Sequence, residues 1–491
     1  MDWVWARLSS GQQADLFEPP CVPASAEKAD AVLSRAATFI GLRQRIEQAF
    51  SSMGCGSSKP APVSLERVHA DWAAWAGPLN VAIEAPSFIL GSALIALAER
   101  QAAQRARGEV IELMPRCQDW PASSCATTQQ IRAKHPCQVV VLSICWLDRN
   151  HPDRYGEQLA RLACFFRAKM RGEDANQSGE FFVLWDYCSL PQKRIDGKDD
   201  RTAEDKTTFK KILRSINVFY AHPCTTVFLC TRLPSDLSRY GNSTPYHGRG
   251  WTVTEKTLAS ISTDSWLLLD VGAKFDGAWL PALEHLSWYT IFSVCRGSRS
   301  PPLPPAAFAK FLADGVQATP PTIKFTNAAD IEPVTEQYRL GFLEQIQGAV
   351  QLAYGGAGWG DTEVRTMCDA LESTNAARLR ELRLWGNHLT DMSAQRLSAL
   401  VASGSLPRLG RLDLKGNPIS EAGQQALMAA CQAAGVAELV FGATAAYKPH
   451  MEQALALIEQ GQGETPGLPS AVASSVGIVA QAASDRDPQQ I

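Results

Sequence analysis

The sequence predicts an α/β fold: a mostly parallel sheet domain, a short α/β repeat array after it, and a helical segment before it. Three observations carry this. Between residue 137 and about 295, short β-rich runs alternate with helical stretches, the pattern of βαβ units. Runs such as VVVL (139–142) and FFVLW (181–185) are apolar without interruption, as suits strands covered on both faces. From residue 379 onward a leucine-based motif returns after 30 residues.

The elements follow in order. Residues 1–52 read as an N-terminal extension, partly helical, with Val32, Ala36, Phe39, Ile40 and Ile46 at helical spacing. Residues 53–62 are a Gly/Ser/Pro break, and 63–130 a helical lead-in with Ser64 and Glu66 near its start. Its run APSFILGSALIALA (85–98) is fourteen residues, too short for the roughly twenty that span a bilayer, and reads as a buried helix. The α/β domain occupies 131–297. Its strands are expected at CQVVVLSICW, FFVLWDYC, CTTVFLC and SWLLLDV, with helices around 156–169 and 203–219 and from about 252. Residues 298–340, opening SRSPPLPPAAF, read as a Pro-rich linker, a stiff spacer or a polyproline ligand for an aromatic groove. The repeats fill 341–445, and 446–491 is a polar, small-residue tail expected to be disordered.

In the repeats, Leu379, Leu382, Leu384 and Asn387 map onto Leu409, Leu412, Leu414 and Asn417. An eroded copy at Leu352, Tyr354, Gly356 and Asp361 precedes them. This is a leucine-rich-repeat pattern: the L-x-L pair points inward from a short strand, the Asn satisfies backbone groups at the turn, and a helix covers the back.

Composition narrows the function. The 491 residues are 45% apolar and 20% charged, with net charge −3, which is ordinary globular composition without the basic footprint of a nucleic-acid binder. Thirteen Cys without CxxC pairs fit free thiols in a reducing compartment, and those of the α/β domain (Cys137, Cys145, Cys164, Cys188, Cys224, Cys230) read as inert packing. The opening residues have no signal-peptide core, so the expectation is a cytoplasmic protein. The stretch MGCGSSK (53–59) matches an N-myristoylation signal at Gly54 with a second lipid site at Cys55, if translation begins at Met53 or cleavage exposes Gly54; otherwise it is a linker. The anchored reading adds peripheral membrane attachment.

Four motifs carry the chemistry: LSICWLDRNHPD, LWDYCSLPQ, INVFYAHPCTTVFL and GRGWTVTEKTLASI. They place Ser143, Trp146, Asp186, Gln192, Arg249, Trp251 and Glu255 at or just beyond strand ends, where open α/β sheets bind ligands. Other readings stand beside this one. Trp185 and Trp251 also suit a core, Asp186 a turn cap, Glu255 a helix start favoured by the dipole, and Arg249 an ion pair with Glu255 or Asp186. His151 has no visible Cys or His partner, and no metal site is expected. No Walker loop, GxGxxG or HExxH occurs, which ranks a phosphate-loop hydrolase or transferase last.

In this order and spacing the four motifs resemble the HET (heterokaryon-incompatibility-like) domain, in the microbial and algal form with a His-Pro-Asp step after the Trp. HET domains are similar to TIR domains, the flavodoxin-like signalling modules of innate immunity. The resemblance covers about 135–295, and the repeats extend it as ribonuclease-inhibitor-like leucine-rich repeats. It implies a flavodoxin-like sheet and NAD as a substrate, with no tightly bound cofactor. It further implies cleavage of the nicotinamide–ribose bond with Glu255 as the catalytic carboxylate, Trp146 or Trp251 stacked on a ring, Arg249 paired with a phosphate and Asp186 on a ribose hydroxyl. It equally implies a non-catalytic adaptor that self-associates as a homo-oligomer and binds a protein partner through its repeats. Two positions depart from the family pattern: Ile144, where a polar residue is common, and Thr254 before the Glu. A charged insertion occupies 193–206.

Overall fold

The computed structural model describes residues 87–442, apart from 133–137, 173–178, 223–224, 264–266 and most of 273–296. The lipidation residues Gly54 and Cys55, the helix expected at 26–50 and the tail from 446 lie outside the described residues. The fold is α/β. In chain order the elements are β1 (Phe88–Leu90), α1 (Gly91–Ala106), β2 (Cys125–Ala126), α2 (Thr128–Arg132), β3 (Val139–Ile144), α3 (Glu157–Arg171), β4 (Phe182–Leu184), α4 (Asp186–Ser189), α5 (Ala203–Ala221), β5 (Thr226–Cys230), α6 (Gly250–Ser262) and β6 (Leu268–Asp270). There follow α7 (Pro305–Gln317), α8 (Ile331–Gly348), β7 (Gln351–Ala353), α9 (Asp361–Thr374), β8 (Glu381–Arg383), α10 (Asp391–Ala402), β9 (Arg411–Asp413), α11 (Glu421–Ala433) and β10 (Glu438–Val440).

The first sheet has the order β2-β1-β4-β3-β5-β6. Strands β4, β3, β5 and β6 run parallel, and β1 joins the edge antiparallel to β4 and β2. All six residues of β3 are buried. Its side chains alternate between two cores: Val140, Leu142 and Ile144 meet Leu159, Phe165 and Phe166 of α3, whereas Val139 and Val141 join Phe219 of α5 and Leu258 of α6. A strand buried on both faces needs apolar residues at both parities, and VVVL supplies them.

The run at 85–98 is not one helix. Phe88–Leu90 forms β1, paired with Phe182 and Val183, and the helix begins only at Gly91, where a Cβ would lie 2.4 Å from the Phe181 ring. The segment 298–340 likewise differs from the expected linker, since it carries α7 and the first half of α8. Pro305 opens α7 at a position where a missing N–H costs nothing. Phe308 and Leu312 are fully buried, and the Phe308 ring stacks on Tyr338 at 3.8 Å.

Helix α8 packs on α5 and α6, where Gln337 Nε2 donates to the Leu213 carbonyl (2.7 Å) and Ser262 Oγ to Gln345 Oε1 (2.8 Å). Arg299 ties the end of α6 to the second sheet. Its guanidinium donates to the carbonyls of Ser260 (3.0 Å), Ile261 (3.3 Å) and Ala353 (2.5 Å) and lies 4.3 Å from the centre of the Tyr354 ring.

The second sheet is parallel throughout, in the order β10-β9-β8-β7, and Leu352, Leu382 and Leu412 stand in register, as do Leu412 and Leu439. Asn387 Nδ2 donates to the carbonyls of Tyr354 (3.0 Å) and Leu384 (2.9 Å), and its Oδ1 accepts from Trp359 N. Asn417 repeats this with Leu384, Leu414 and Leu389 N. Asp361 accepts from Thr390 and Ser393, and Asp391 from Ser420, one unit on.

Asn387→Ala leaves the Tyr354 carbonyl and the Trp359 amide without the side chain that meets them, while the Leu384 carbonyl keeps its bond from Asn417. At roughly 1–3 kcal/mol for each polar group left unsatisfied, partly relieved by relaxation, the loss should be about 3 kcal/mol. Urea unfolding of the variant beside wild type measures it.

Candidate functional site

The sheet order reverses around β3. Strand β4 lies on one side of it and β5 on the other, so the chain crosses over between them. Ligands in open α/β sheets bind at the carboxyl ends of strands at such a point. Four of the seven expected site residues meet there.

Ser143, with the parity of Val139 and Val141, faces α5 and α6 and is fully buried. Its Oγ lies 2.6 Å from Glu255 Oε2 and 2.6 Å from the Tyr246 hydroxyl. Glu255 stands in the second turn of α6 and is half-buried. The dipole contribution fades beyond the first turn, so a favourable helix start does not account for it. Asp186 opens α4 directly after β4 and is also half-buried; its Oδ2 accepts from Trp146 Nε1 (2.7 Å), and its Oδ1 from the Tyr187 amide (2.7 Å). Trp146 meets Tyr187 edge-on at 5.6 Å.

Desolvation pushes Glu255 up to about 8; the nearby negative charge of Asp186 acts in the same direction, against the Ser143 bond. Desolvation pushes Asp186 up to about 6, against the bonds from Trp146 and the Tyr187 amide. Among the described residues neither carboxyl has an ion-pair partner. Both carboxyls are thus pushed upward with no cation beside them, the pattern that makes a carboxyl pair a candidate acid and base.

Arg249 departs from its expected role. Its Nε donates to the Thr244 carbonyl (2.7 Å), Nη2 to Asn242 (3.1 Å) and Nη1 to Trp146. It is 9% exposed and pins the 242–249 loop to the end of β3, so it neither reaches outward to a phosphate nor pairs with Asp186 or Glu255. Trp251 points away from the carboxyl pair: its Nε1 donates to Asp330 (3.0 Å), and its ring packs on the core. Gln192 braces the Asp186 turn through a 3.3 Å bond to the Asp186 carbonyl.

The residues after α7 strap α6 in place. Gly250 N donates to the Lys324 carbonyl (2.9 Å), and Lys324 N to that of Gly248 (2.8 Å). A Cβ at Gly250 would lie 2.0 Å from the Phe325 ring.

His151 and Asp153 build the approach to α3. Asp153 caps the helix through the amides of Glu157 (2.9 Å) and Leu159 (2.7 Å), and His151 Nδ1 accepts from Asp153 N. Burial lowers His151 to about 4, which keeps it neutral. Burial pushes the Cys145 thiol up to about 11, which suits packing rather than reaction. Among the described residues no group of three His, Cys, Asp or Glu is placed to hold a metal ion, and no helix is long and apolar enough to cross a membrane. Nothing in the sequence singles out Tyr246, whose loop position carries no periodic signal.

Glu255 binds its proton more tightly folded than unfolded, so between about pH 4.5 and 8 the native state holds the extra proton and stability falls as pH rises. Glu255→Gln removes this loss. The variant should therefore gain on wild type as pH rises from 5 to 8, read from paired urea midpoints at each pH. A constant difference would contradict the assignment.

No family model matches the chain, and no curated protein does. Among solved structures, a similar one is "Leiomodin-1 Actin-Binding Site 2 (ABS2)", 15% identical over 24% of this chain and 70% of that one, with a TM-score of 0.19. A likeness at that score carries no functional argument.

Proposed function

We propose that the α/β domain is a HET/TIR-like, flavodoxin-like module that cleaves NAD at the nicotinamide–ribose bond, in a signalling or defence-type protein whose leucine-rich repeats bind a protein partner. The observation that carries the reading is the carboxyl pair Asp186 and Glu255 at the strand crossover, half-buried and without a cation. The four parallel strands in the order β4-β3-β5-β6, with the crossover at β3, support the same reading.

The chemistry balances on these groups. The C–N bond breaks, nicotinamide leaves with the electron pair, and the ribose passes through an oxocarbenium-like state. Ionised Asp186 faces that positive charge. Protonated Glu255 donates to a ribose oxygen. Water then attacks C1′, and its proton passes to the ionised carboxylate. Trp146, held by its Nε1 bond to Asp186, offers a ring face to the nicotinamide or adenine base.

A second reading rests on Arg249, whose guanidinium donates to the carbonyls of Thr244, Asn242 and Trp146. That favours a non-catalytic adaptor, acting by self-association and repeat-mediated binding.

The full chain, assayed at high concentration to permit self-association, should release nicotinamide from NAD. The rate should rise as pH passes about 6, where Asp186 ionises, and fall above about 8, where Glu255 loses its proton. Glu255→Gln should lose roughly 10²–10³-fold. No release by folded wild-type protein selects the adaptor.

A further inference from the structure

Behind Glu255 run two hydroxyls in series. Ser143 and Tyr246 are 0% and 1% exposed, so water does not compete for either. An ionised carboxylate only accepts, so Ser143 gives its single proton to Glu255, and its Oγ must then accept from Tyr246. Both protons point toward the carboxylate. On the other flank the Tyr220 hydroxyl donates to the Leu142 carbonyl (2.9 Å), which can only accept. Tyr220 also lies beside Glu255, where its hydroxyl, like that of Ser143, favours the ionised carboxylate.

We propose that Tyr246 and Ser143 are positioning residues, a hydroxyl relay that fixes the Glu255 carboxyl and sets the pH at which it releases its proton. The groups facing Glu255 are Asp186 beyond β4, Cys145 beyond β3, Tyr220 of α5, Cys230 of β5 and Tyr246 before α6. Its neighbour Lys256 turns to Ser298 (3.2 Å), and Arg249 stays on its carbonyls. Ser143, backed by Tyr246, is thus the larger hydroxyl contribution to the ionised form, ahead of Tyr220. Its catalytic consequence rests on the NAD-cleaving reading; its effect on titration does not.

The test is a carboxyl ¹³C NMR titration of the full chain, with Glu255→Gln to assign the signal. Removing a hydrogen bond to a charged group, worth about 1.5 kcal/mol, moves a midpoint by about 1 pH unit. Ser143→Ala should raise the Glu255 midpoint by that much, and Tyr246→Phe, which keeps the ring, by less. Ser143→Thr should restore it. Where NAD is cleaved, the high-pH fall of nicotinamide release should move with the midpoint. An unmoved midpoint in folded Tyr246→Phe and Ser143→Ala overturns the relay. Should Ser143→Ala not fold, Tyr246→Phe alone decides. A shifted midpoint in a protein that cleaves no NAD upholds the relay and removes the NAD reading instead.

Discussion

Strand β3 is the constraint on which the site depends. Buried on both faces, it has no freedom of register: a slip of one residue would exchange the two cores. Its parity therefore decides what each residue can do. Ser143 shares a face with Val139 and Val141 and so meets α5 and α6, where Tyr220 and Glu255 wait. Ile144 shares the opposite face with Val140 and Leu142 and packs toward α3. The departure at Ile144 thus removes no polar group from the carboxyl pair. An apparent loss in the motif is a core position.

The repeats and the site share one framework. Helix α8 covers α5 and α6 on one side and leads into β7, and Arg299 stitches the last turn of α6 to Ala353 and Tyr354. The other end of α6 is held by the strap at Lys324 and Phe325 and by Asp330 on Trp251. Glu255 lies between these two anchors, on a helix fixed at both ends. Such fixing suits a carboxyl whose orientation matters more than its reach.

Much of this was legible in the sequence because it rests on period. The apolar runs located β3, β4, β5 and β6, and the 30-residue spacing located the strands and the Asn ladders of the second sheet. Glu255, Asp186, Ser143 and Trp146 were found because strand ends are predictable once strands are. What failed rests on long-range partners. Nothing local shows that Arg249 will spend its donors on Asn242, Thr244 and Trp146, because that depends on a loop folding back on itself. The prolines at 301–305 read as a spacer, but Pro305 opens a helix whose Phe308 finds Tyr338 thirty residues later. The Phe88–Leu90 run joined a helix in the reading because its strand partner lies beyond residue 180.

The most direct measurement is a crystal structure of the full chain with an NAD analogue whose nicotinamide–ribose bond resists cleavage. The account predicts the ribose at the end of β3, its oxygens within hydrogen-bonding distance of Glu255 and Asp186. An analogue seated elsewhere on the chain, or a carboxyl pair that stays empty at saturating concentration, would contradict it.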